Sequence, residues 1–130
     1  MPNYVIDATV VIETVLVEAY TAHVDRFFDS ITNDDRLIVP EFCLLECTNV
    51  LWKRIRAGQI TRSEGEDMLS ALRGLKLRRA PMKRLLDRAL DIGLRRSLAI
   101  HYACPLVTLD QLEARAAVSE GVTVVNLVTA

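Results

Sequence analysis

Apolar residues fall along the chain in two patterns, short solid runs and longer spaced stripes. Tyr4-Val5-Ile6, Leu37-Ile38-Val39 and Pro105-Leu106-Val107-Thr108-Leu109 are near-continuous runs. Such runs mark strands covered on both faces rather than on one. Asp7, Pro40 and Asp110 close them. Ala8 to Ser30 has helical spacing in two pieces, the second opened by Thr21 or Asp25. Asn33-Asp34-Asp35 is a turn signal. Glu41 to Ala57 is the clearest helix, with Phe42, Leu45, Asn49 and Trp52 along one stripe and Gly58 as its stop. Thr61-Arg62-Ser63-Glu64 has the spacing of a capping box, which predicts a new helix to about Arg73. Leu75-Lys76-Leu77-Arg78 alternates like a strand. Met82 to Ala103 is mostly helical, bent near Gly93. Gln111 to Ser119 is a helix closed by Gly121, and Val122 to Leu127 is a last strand.

Strands that alternate with helices predict an α/β fold of three layers, with a mostly parallel central sheet and helices on both faces. The 130 residues suit one domain spanning 1–130. With 51% apolar residues the chain is not a disordered one. No apolar run is long enough to span a bilayer, and Asp7 interrupts the stretch where a signal peptide would need its apolar core. The expected setting is the cytoplasm, with no membrane partner. Three cysteines, an odd number, argue against a closed disulfide framework. Cys43, Cys47 and Cys104 are expected to be buried and unreactive. Most of Phe27, Phe28, Leu45 and Trp52 is expected in the core, with some left to face a mate or partner.

The net charge of -1 hides an uneven distribution. Nine of the 16 Lys and Arg lie between Arg73 and Arg96, against Asp87 and Asp91. That stretch is either the solvated face of one or two helices or a track for a phosphate backbone. In the second case Arg78, Arg79, Lys83 and Arg84 are the candidate RNA-binding residues.

The acids carry more information. Ligands of open parallel sheets bind beyond the carboxyl ends of the strands. Asp7 and Asp110 each follow a strand directly, and Glu46 lies early in a helix that starts from the same edge. Three carboxylates would meet there. Like charges so placed repel unless a hard cation joins them, and oxygen donors suit Mg2+ or Mn2+. Hydrolysis of a phosphodiester is the chemistry this arrangement favours. Each acid also has a plainer reading. An Asp after a strand is often only a helix N-cap.

Three segments point to a family: Val5-Ile6-Asp7-Ala8-Thr9-Val10-Val11, Glu46-Cys47-Thr48-Asn49-Val50-Leu51-Trp52-Lys53 and Pro105-Leu106-Val107-Thr108-Leu109-Asp110. They resemble, in order, the opening strand, the central Glu helix and the late Thr-x-Asp strand of PIN domains of the VapC toxin type. The resemblance implies a PIN-like fold and Mg2+-dependent ribonuclease activity. It also implies a homodimer and inhibition by a cognate antitoxin. Asp7, Glu46 and Asp110 would then be catalytic and metal-binding acids. Thr9 and Thr108 would be hydroxyl partners orienting them, and Asn49 would support them one helical turn from Glu46.

One part of the pattern departs. The family's further acid would fall on Ile92, counting back six from Leu98, and its second Tyr on Arg95. Asp91 is the neighbouring candidate metal ligand, but one residue is a turn of about 100° on a helix. It would need a local bulge or a shift of register at Gly93 to reach the site. The alternative is a weakened or inactive module that binds RNA or an antitoxin-like protein. A phospho-acceptor regulatory domain would need an acceptor Asp after a middle strand and a Lys after a late one, and neither the Leu37-Val39 strand nor the one ending at Asp110 offers that set.

Overall fold

The computed structural model describes residues 3–17, 20–32, 35–81, 83, 86, 90, 96, 99–100 and 102–128. The strands are β1 (Asn3–Ile6), β2 (Arg36–Pro40), β3 (Arg78–Ala80), β4 (Leu106–Thr108) and β5 (Val124–Asn126). The helices are α1 (Ala8–Ile12), α2 (Thr21–Ser30), α3 (Cys43–Arg56), α4 (Arg62–Arg73) and α5 (Gln111–Ser119). All described pairings are parallel, in the order β3-β2-β1-β4-β5. The α/β class expected from the alternating pattern is therefore the fold observed.

Side-chain alternation explains why the strand runs are solid. Ile6, Leu37, Val39 and Val107 face a core shared with α1, α2, α3 and Leu72 of α4. Val5, Ile38 and Leu106 face the opposite core, with Ala117 of α5 and Ala99. Successive residues thus enter different cores, and each buried aliphatic side chain stabilises the fold by roughly 1.5–3 kcal/mol.

Some boundaries differ from expectation. The third strand is Arg78–Ala80, not Leu75–Arg78, because β2 offers its pairing edge from Ile38 onward. The last strand is shorter, Val124–Asn126. Helix α3 begins at Cys43 and buries Cys43, Cys47 and Leu51. Phe42, Leu45 and Trp52 lie on its exposed side. Phe27 is buried and Phe28 packs at the margin of the core, but Leu45 and Trp52 do not join it. The three cysteines are free and buried. Gly58 and Gly121 take positive φ (72° and 77°) where α3 and α5 stop, a conformation that favours glycine. The expected turn at Asn33-Asp34, the bend at Gly93, Arg84 and Asp91 lie outside the described residues.

Candidate site at the sheet edge

The chain winds outward from β1 through β2 to β3, then crosses back to β4 on the other side of β1. The winding reverses between β1 and β4. In doubly wound sheets this switch point opens a crevice at the carboxyl ends of the strands. Asp7 follows β1 and Asp110 comes two residues after β4, so both stand at that crevice.

The two acids are held differently. Asp7 occupies the N-cap position of α1 with an extended backbone, yet its side chain makes no cap hydrogen bond. Its Oδ2 instead accepts from Thr9 Oγ1 at 2.9 Å and from Thr108 Oγ1 at 2.8 Å. Asp7 is 2% exposed and Thr108 is fully buried. Asp110 does cap its helix: Oδ1 accepts from the backbone N–H of Leu112 and Glu113 at 3.0 and 3.1 Å. Thr108 Oγ1 also accepts from the Asp110 N–H at 3.0 Å, so one hydroxyl joins the two acids. Thr9 Oγ1 accepts from Leu109 N–H at 3.3 Å and ties α1 to the loop after β4.

Glu46 stands on the next wall. It lies in the first turn of α3 and lines a cleft of about 300 Å3 between α1 and α3, together with Thr9, Ile12, Cys47 and Asn49. Beneath it Cys43 hydrogen-bonds Cys47. That bond, then burial, then the charges of Cys47, Glu46 and Asp7 push the Cys43 thiol far up, which keeps it protonated and inert.

Among the described residues, no three His, Cys, Asp or Glu side chains gather closely enough to hold a metal ion together. The expected meeting of three carboxylates is thus not found there. What the structure brings together is Asp7, Asp110, Thr9 and Thr108, with Glu46 and Asn49 on the adjoining cleft. Carboxylates and hydroxyls are hard oxygen donors. One or two carboxylates suffice for Mg2+ where waters and a substrate phosphate complete its shell. The donor set fits that kind of ion.

The four basic candidates separate. Arg78 lies over the Tyr102 ring at 5.6 Å, at the start of β3 and away from the acid edge. Arg79 and Lys83 are exposed on or just beyond the edge strand. Sequence reasoning missed Gln111 and Asn126. Their amides exchange hydrogen bonds at 3.3 and 3.4 Å, locking the start of α5, beside Asp110, to the end of β5. An Asn closing the last apolar strand was the available signal, by the same strand-end logic that selected the acids.

No protein-family model matches the sequence, and no curated protein does. Solved structures do match the fold. VapBC2 from Rickettsia felis, bound to a DNA fragment from its promoter, aligns with TM-score 0.65 at 12% identity, over 95% of this chain and 98% of that one. FitAcB from Neisseria gonorrhoeae aligns with TM-score 0.69 at 15% identity, over 98% and 99%. A domain of a functionally unknown protein from Methanocaldococcus jannaschii aligns with TM-score 0.54 at 18% identity, over 97% and 91%. These comparisons correct the family assignment drawn from the three motifs. At 12–18% identity the likeness extends to the fold alone. No helix among the described residues is long and apolar enough to cross a membrane.

Proposed function

We propose that the chain is a Mg2+-dependent endoribonuclease acting as the toxin of a toxin–antitoxin pair. The observation that carries this reading is the pair of carboxylates at the switch point, one of them buried and gripped by two hydroxyls. Burying a carboxylate is costly, and a strand end needs none for stability. Asp7 and Asp110 would hold Mg2+, or Mn2+ in its place, with Glu46 on the adjoining cleft. The ion, when bound, supplies positive charge for the phosphoryl group and lowers the pKa of a water.

The chain's own residues do the positioning. Thr9 and Thr108 fix the Asp7 carboxylate, so no reorganisation is needed when substrate arrives. The α5 N–H groups fix Asp110. Asn49 lines the cleft beside Glu46 and offers an amide to substrate. Arg79 and Lys83 favour the approach of a phosphate backbone. The likeness to VapBC2 supports a cognate antitoxin as the protein partner. A homodimer, a cytoplasmic setting and one domain over 1–130 complete the reading.

The test is cleavage of a single-stranded RNA with Mg2+ and then Mn2+. Losing even a hydrogen-bond partner of a metal ligand typically costs 10–100-fold, so Asp7→Asn is expected to lower the rate by more than about 100-fold. Unfolding by urea checks that the variant is folded. Cleavage at the wild-type rate in Asp7→Asn overturns the reading. A second reading, a module that binds RNA or an antitoxin-like protein without chemistry, is favoured because no three-acid group gathers among the described residues. RNA that binds but stays intact with both metals would select it.

A further inference from the structure

The outer face of α3 is apolar where a helix facing water should be polar. Phe42 is 50% exposed, Leu45 68% and Trp52 54%. They line an open cleft of about 530 Å3 with Glu46, Thr48 and Asn49. Glu46 and Asn49 also line the cleft beside Thr9 at the acid edge. Glu46 and Asn49 therefore form a wall common to two neighbouring clefts along α3. At its far end the charge turns positive: Lys53, Arg54 and Arg56 occupy the last turn, and the Arg56 guanidinium lies 5.3 Å from the centre of the Trp52 ring.

We propose that this face is a stacking shelf for the bases of single-stranded RNA, leading the strand from the last turn of α3 to Asp7. Exposed aromatic rings beside basic side chains are how sequence-tolerant single-strand sites are built. Phe42 and Trp52 stand about 15 Å apart along the helix, at 1.5 Å per residue, so bases can engage both ends of the face. Thr48 and Asn49 lie between the rings and offer hydrogen bonds to base edges or ribose. The charge favours a polyanion, because the basic last turn matches phosphates. A second copy of the chain would set the same cations against each other if the two helices packed in parallel.

The inference rests on the ribonuclease reading, and the experiment separates the two. Trp52 is the single tryptophan of the chain, so intrinsic fluorescence reports on the shelf alone. An end-labelled, unstructured 12-nucleotide RNA is titrated into Asp7→Asn, which leaves it uncut. Anisotropy of the label reads binding, and Trp52 emission reads stacking. Saturable quenching that tracks the anisotropy is expected. Stacking contributes about 1–3 kcal/mol per base, so Trp52→Ala added to Asp7→Asn should weaken binding about 5- to 150-fold, while Trp52→Phe restores most of it. Circular dichroism checks the fold of each variant. Binding without quenching, and equal affinity in Trp52→Ala, overturns the shelf and leaves the ribonuclease reading standing. No binding at all overturns both. Sedimentation supplies the remaining outcome. A wild-type dimer that Trp52→Ala converts to monomer, with no quenching by RNA, makes this face a contact between copies and also overturns the shelf.

Discussion

The acid edge and the outer face of α3 invert the same rule in opposite directions. At the edge, a carboxylate 2% exposed sits where the fold would be content with an apolar or small side chain. On α3, three large apolar residues lie half or more exposed where charges would be cheaper. Buried polar groups and exposed apolar patches are the departures that carry information about function. The two are compensated differently. Asp7 is stabilised inside the molecule, by Thr9 and Thr108. On the α3 face Arg56 covers part of the Trp52 ring, yet Phe42, Leu45 and Trp52 stay half or more exposed. The first is thus a matter of internal preorganisation, and the second is what the proposed shelf would use.

The contrast can be broken most severely within α3 itself. Leu45 and Leu51 share a chemistry and a helix, but Leu51 is 3% exposed and Leu45 68%. Leu51→Ala should cost about 2–5 kcal/mol through the cavity it leaves. Leu45→Ala should stay within about 0.5 kcal/mol. Urea unfolding of both variants measures the difference. Equal losses would mean that the outer face belongs to the core after all.

Next in size is the grip on Asp7. Thr108→Val keeps the shape and removes the hydroxyl that serves Asp7 and Asp110 together. Leaving a buried acceptor short of a donor costs about 1–3 kcal/mol. Thr9→Val should cost less, since Thr9 is exposed and water can replace its hydroxyl. Unfolding midpoints in urea rank the two. A Thr108→Val protein as stable as wild type would show that the buried carboxylate does not depend on this bond.

These residues also show what was legible beforehand. Solid apolar runs closed by Asp7 and Asp110 placed both acids at one edge, because strands that alternate with helices imply a parallel sheet whose carboxyl ends lie together. The buried side of α3 was not legible. Phe42, Leu45 and Trp52 are the larger apolar side chains, yet the small thiols of Cys43 and Cys47 fit against the core and the larger groups face out. Periodicity finds stripes but does not say which stripe meets the core. β3 was misplaced for a related reason. Leu75 and Leu77 alternate well, but strand pairing is fixed by β2, and an edge strand can carry Arg78 and Arg79 in water. The different duties of the acids were hidden too. Asp7 and Asp110 look alike in sequence, and only the geometry shows that one caps a helix and the other does not.

The smallest effect comes from a polar group that behaves as exposed polar groups usually do, and it calibrates both exceptions. Thr61 and Glu64 form the capping box of α4: Thr61 Oγ1 accepts from the Glu64 N–H at 3.1 Å, and Glu64 Oε1 accepts from the Thr61 N–H at 2.9 Å. The Thr61 N–H holds the Glu64 carboxyl below its ordinary value of 4.5, with the Thr61 side chain adding to it. A carboxylate whose pKa is lower in the folded state stabilises the fold in full above the unfolded value. That contribution is lost as pH falls through 4.5 toward the folded value. Glu64→Gln keeps the reciprocal hydrogen bond but cannot titrate. The Tm difference between wild type and Glu64→Gln should therefore be constant above about pH 6 and shrink as the pH falls below about 4.5. Thr61→Ala should cost about 0.5–1 kcal/mol at neutral pH, toward the low end for an N-cap because the site is open to water. Thermal melts followed by circular dichroism across pH 3–7 check both (~4 units of range, wide enough to cover the transition). A Tm difference that grows as the pH falls would reverse the sign and show that Glu64 is held in its neutral form instead.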